Sequence, residues 1–214
     1  MRDALRGVLV GLVAIALLGA IASRAGWIET DLPRPTGQGA WMLSRATGLT
    51  AFIALALDVI AGLLVSTRIA DRWIPRKETV DLHGWLSPLA LALVACHALT
   101  LVADNYIRFD LVDVLVPFAS SYRPVAVGIG VLAAYGAVVV HVSFGLRKRI
   151  GPKVWRKLHY LSFVVFTASA VHAIIAGTDA ARPAIVALYA TPLAIVVGLV
   201  AARVTRFGTA QRPR

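Results

Sequence analysis

Six stretches of the chain, at about residues 6–22, 42–66, 82–103, 124–146, 158–177 and 183–202, run for 17 to 25 residues with almost no charge. At 1.5 Å of rise per residue, about 20 such residues cross the ~30 Å hydrocarbon layer of a bilayer as one helix. Lipid offers no hydrogen-bond partner to a backbone N–H or C=O, so each stretch must satisfy its own backbone by being helical. The expected fold is therefore all-α, an integral membrane bundle of six transmembrane helices forming one membrane domain over residues 1–214. The composition agrees: 58% of the residues are hydrophobic, against roughly 45–50% in an ordinary soluble domain.

The net charge of +11 raises the question of nucleic acid, because basic clusters attract phosphate. The distribution answers it. Of the 22 Lys and Arg, 16 fall in the N-terminus, in 67–81, in 147–157 and after residue 202. Those segments lie on one side of the membrane if the first span starts there. A Lys/Arg excess marks the cytoplasmic face, so both termini are expected inside, in a bacterial inner membrane, with no nucleic-acid partner. Arg24, Arg34, Arg45, Arg108, Arg123 and Arg182 remain outside. The first span also has a basic start, a short apolar run and the Ala20-Ile21-Ala22 triplet, which suit a cleavable signal peptide. The reading adopted is a retained helix; cleavage leaves the other spans oriented as they are.

The lone cysteine, Cys96, excludes a disulfide framework or a CxxC motif within the chain, and in an apolar helix it reads as a small packing residue. The stretches between spans reach only about twenty residues, too few for a flavin or nucleotide-binding domain. The glycines of GIGVLAAYG (128–136) follow no strand, so they read as points of close helix approach rather than a dinucleotide fingerprint. The segment 104–124, DNYIRFDLVDVLVPFASSYRP, is expected to form a short interfacial helix or a dock for a partner.

All five histidines, His83, His97, His141, His159 and His172, lie in or at the edge of these spans. Ionisable groups in membrane helices are costly, and they mark functional sites. LHGWLS…CHAL (82–99) and LHYLS…VHAI (158–174) share a Leu-His start and a His-Ala end. Fourteen residues separate His83 from His97, about 21 Å along a helix. Thirteen separate His159 from His172, about 19.5 Å. No single ion bridges such a gap, so each helix must give one ligand to each of two sites. Side by side, the helices set His83 opposite His159 and His97 opposite His172. Haem iron, which takes axial imidazoles on the two faces of a flat ring, suits this pattern. Zinc asks for about four ligands per site, which the sequence does not supply. One difficulty is geometric: fourteen steps keep His83 and His97 within 40° on one face, whereas thirteen put His159 and His172 about 140° apart on a straight helix. Pro88 can kink the first of these helices; the second has no evident kink residue. His141 and Asp58 read as hydrogen-bonded structural groups, with proton transfer as the alternative.

With the opening SRATGL (44–49), LHGWL…CHAL and WRKLHYLSF…VHAI followed by GTD, the chain resembles the ferric-reductase-like transmembrane domain family over about residues 41–178. That group includes the membrane parts of ferric reductases and NADPH oxidases, and the haem subunit of a bacterial periplasmic methionine-sulfoxide reductase system. The resemblance implies a six-helix bundle with two b haems between the third and fifth helices, His83, His97, His159 and His172 being the axial ligands. Those methionine-sulfoxide-reductase haem subunits lack a counterpart of His83, so its presence favours the two-haem pattern. Electrons are then expected to pass from a separate cytoplasmic flavoprotein, carrying its own flavin, or from membrane quinol, to an outer ferric complex or redox protein. The chain would be the haem subunit of an oxidoreductase. Arg45, Arg123 and Arg156 are candidate partners for haem propionates. A transporter that moves protons or metal ions along the histidines and Asp58 is the rival reading.

Overall fold

The computed structural model describes residues 39–104 and 106–210. Among them every regular element is helical: α1 (Gly39–Thr67), α2 (Arg76–Val102), the short α3 (Leu111–Leu115), α4 (Pro124–Ala176) and α5 (Pro183–Ala210). Four of these are long and apolar enough to cross a membrane. The chain is a multi-pass membrane protein. The expected first span, 6–22, lies outside the described residues.

Residues of special backbone geometry set the helix ends. Arg68 stops α1 by taking a left-handed conformation (φ 56°) while its N–H bonds to the carbonyl of Leu64 at 2.9 Å, a common helix-ending arrangement. α2 follows Pro75, with Glu78 in its first turn facing the positive end of the helix dipole. α4 and α5 each begin at a proline, whose missing N–H is no loss in a first turn.

α4 spans 53 residues and breaks once, at Gly151 (φ 78°, ψ 158°). That conformation is open essentially to glycine alone, and Pro152 demands an extended residue before it. The break turns α4 into a hairpin. Arg123 Nη1 donates to the carbonyl of Ile175 at 2.8 Å, His172 Nδ1 lies 2.7 Å from the carbonyl of Ala126, and Phe144 meets Trp155 at 6.2 Å between ring centres. A straight helix would hold Ala126 and His172 about 69 Å apart. Residues 124–150 and 152–176 are therefore two antiparallel limbs, corresponding to the spans expected at 124–146 and 158–177.

The core lies where α1, the second limb of α4 and α5 meet. Phe52 stacks on Phe166 at 5.8 Å and meets the edge of Tyr189 at 5.1 Å, with Ala56, Val59, Leu63, Ala170 and Val196 buried around them. Large apolar side chains such as Leu57, Leu89, Val164 and Val197 are exposed, as lipid-facing surfaces require. α2 packs closely along α1 and only sparsely against α4. The space left between α2 and the second limb holds the histidines.

Candidate redox site: two histidine pairs between α2 and α4

His83 and His159 face each other with ring centres 6.0 Å apart and planes at 82°; His97 and His172 do so at 6.4 Å and 72°. The first pair lies toward the end of the bundle bearing the basic segments 67–81 and 147–157, the second toward the opposite end. The two histidines of the thirteen-residue spacing take different neighbours. His172 turns toward the first limb of α4, while His159 stacks on Trp155 at 5.2 Å and 24°. Pro88 sits inside α2 without ending it.

Three of the four rings are held by one repeated device. His97 Nδ1 lies 2.7 Å from the carbonyl of Ser44, His172 Nδ1 2.7 Å from that of Ala126, and His83 Nδ1 3.1 Å from that of Asp58. Four residues after each carbonyl comes a glycine, Gly48, Gly130 and Gly62, and the ring occupies the space its side chain would take. A Cβ would come within 2.9 Å of His97 at Gly48, 2.6 Å of His172 at Gly130 and 3.1 Å of His83 at Gly62. A carbonyl can only accept, so Nδ1 of each ring is the donor, and a neutral imidazole then presents Nε2 as a bare lone pair. Metal-binding histidines are oriented in this way, their other nitrogen donating to a carbonyl or carboxylate. Gly62 and the three carbonyls went unread in the sequence. Gly130 was legible there only as a point of close helix packing, and Gly48 only as part of a motif. The spacing of four between carbonyl and glycine is the signal that marks them.

His83 has a further partner. Asp58 Oδ1 lies 2.8 Å from the same Nδ1. Asp58 is buried in mid-helix, so this contact accounts for a carboxylate that the sequence left as a structural group. His141 is buried, with Nδ1 3.0 Å from Ser87 Oγ, the bonded role expected of it.

A cavity of about 400 Å³ opens between the helices around His97 and His172. Its wall is chiefly apolar, from α1, α2, both limbs of α4 and the start of α5. Phe109, Val114 and Tyr122 of the 104–122 segment also line it, so the segment expected to be interfacial folds over one end. Phe109 is buried there, and Tyr135 donates to the carbonyl of Leu115. Arg45 lines the cavity and pairs with Asp179, which lines it too. Ser44 Oγ is buried in the same wall without a partner.

The other two arginines singled out in the sequence lie elsewhere. Arg123 donates to the carbonyls of Ile175 and Ala176 at 2.8 and 3.3 Å, closing the C-terminal end of the second limb, and Arg156 is exposed. Arg203 comes close to the His159 level instead, with Nη2 3.2 Å from Tyr160 Oη.

A group with an iron between opposed imidazoles fits what is present. Imidazoles on opposite sides of one ion, with metal–nitrogen bonds of about 2 Å, hold their ring centres about 6 Å apart. The spacings of 6.0 and 6.4 Å match. Among the described residues no three His, Cys, Asp or Glu come together as a metal cluster.

The family model described as ferric reductase like transmembrane component matches residues 47–171 of the chain. Neither the curated proteins nor the solved structures contain a match.

Proposed function

Because the chain belongs to the ferric-reductase-like transmembrane component family, and because four of its five intramembrane histidines meet as two opposed pairs, we propose that it is a two-haem electron conduit. His83 and His159 would hold one b haem, His97 and His172 the other. The observation that carries the proposal is the state of the rings: paired at iron-spanning distance, with Nδ1 of three of them committed to backbone carbonyls. When bound, each haem supplies a one-electron ferric/ferrous couple.

The protein's own part is to orient and to insulate. The carbonyl–glycine device holds three of the rings by Nδ1 and leaves their Nε2 lone pairs for a metal. The apolar wall excludes water from the His97/His172 level. Arg45 stands at that cavity as the cation suited to a propionate, with Asp179 holding its guanidinium. Arg156, on the basic segment, and Arg203, beside Tyr160, serve the other level. Arg123 is assigned to helix closure.

With the basic segments in the cytoplasm of a bacterial cell, electrons enter at His83/His159 from a flavoprotein or from quinol. They leave at His97/His172 to an outer ferric complex or redox protein. The chain is then the haem subunit of an oxidoreductase completed by its donor. A metal-transport route is less well supported, since Asp58 is engaged by His83 and Asp179 by Arg45.

The test is the reduced-minus-oxidised visible spectrum of protein purified from a haem-replete host, with a haem-to-protein ratio. Two haems per chain are expected, falling to one in His97→Ala and in His172→Ala. A colourless, folded protein overturns the reading.

A further inference from the structure

The carbonyl–glycine device is alike at three histidines except in the residue that supplies the carbonyl: Ser44 for His97, Ala126 for His172 and Asp58 for His83. Only Asp58 adds a side-chain oxygen, with Oδ1 in ion-pair contact at 2.8 Å with the His83 Nδ1 that donates to Asp58's own carbonyl at 3.1 Å. At the other level, both rings meet neutral carbonyls alone. The His83/His159 level therefore differs in the stacking of His159 on Trp155 and in one buried carboxylate beside a ring nitrogen.

We propose that Asp58 is a positioning residue that sets the His83/His159 iron at a lower reduction potential than the His97/His172 iron, so that electrons run downhill from the basic end of the bundle to the other. The proposal rests on the two-haem reading above and adds a direction to it. Two effects act with the same sign. An imidazole with a carboxylate oxygen 2.8 Å from its Nδ1 is a more basic ligand than one that meets a neutral carbonyl alone, and a more basic axial ligand stabilises the ferric state. The carboxylate's charge, in surroundings of low dielectric, also favours the more positive iron. Arg203, near Tyr160, acts in the opposite sense. It is present both with and without the Asp58 carboxylate, so a change at Asp58 isolates that group.

The experiment is a potentiometric titration of the full-length, haem-loaded protein, following the visible bands of the two haems. In the unmodified protein two resolved midpoint potentials are expected. In His172→Ala, which keeps only the His83/His159 site, the surviving haem should be the lower one. Asp58→Asn, of the same shape without the charge, should raise the lower potential toward the higher and leave the higher in place. A surviving haem in His172→Ala at the higher potential overturns the proposal even where Asp58→Asn does not fold. So does an Asp58→Asn protein with two haems and both potentials unmoved. In either case the two-haem reading stands. Only protein without haem removes both together.

Discussion

At the scale of the residue, the function turns on where each imidazole puts its two nitrogens. The histidines were legible in the sequence as a cost that lipid does not tolerate without a reason, and their spacing set them at two levels. What could not be read there was the glycine under each of three rings, because a glycine in an apolar helix looks like generic close packing. Its role appears only once a ring from 42 residues away is seen in the space, as at Gly130 and His172. Gly48→Ala and Gly130→Ala should each push a ring off its carbonyl, halving the haem-to-protein ratio. The protein should still fold, at an overpacking cost of about 1–3 kcal/mol. Gly62→Ala, with the looser 3.1 Å approach, should lose less haem. His141→Ala should keep both haems and lose about 1 kcal/mol with the Ser87 bond, read by thermal melting followed at the haem bands.

At the scale of the element, the break at Gly151 is the feature that lets the histidine pairs form. Without it, α4 is one long rod, and the second limb cannot bring His159 and His172 beside α2. The spans on either side were readable from hydropathy, and the Gly151-Pro152 pair is the local signal for the turn between them. Gly151→Ala should cost about 1–3 kcal/mol, because a Cβ is excluded from that backbone region. Denaturation in detergent should show this as earlier loss of both haem signals together. The 104–122 segment was legible as interfacial by composition. That it lines the far end of the cavity depends on Phe109, Val114 and Tyr122 folding inward, which no periodicity announces.

At the scale of the molecule, the arrangement is a pair of sites stacked through one bundle, with different surroundings at the two ends. In sealed vesicles loaded with ferricyanide, the haem-loaded protein should pass electrons inward from external dithionite. His83→Ala and His97→Ala should each abolish the transfer; persistence of the wild-type rate in either would show that the two levels are not in series. The spans from residue 42 onward, the clustering of the basic residues in a few segments and the two histidine levels were all readable from the chain. Each of these follows from local quantities: hydropathy, charge and a fixed rise per residue. The fold was needed to show which carbonyl holds each ring, which nitrogen is left bare, and that Asp58 belongs to His83. Those depend on contacts between residues 25 to 53 apart in the chain, and the direction in which a side chain leans across a helix gap is fixed by its neighbours there. The thirteen-residue spacing shows the difference plainly. A straight helix put His159 and His172 on different faces, and the rings reach their partners because Trp155 and the carbonyl of Ala126 hold them there.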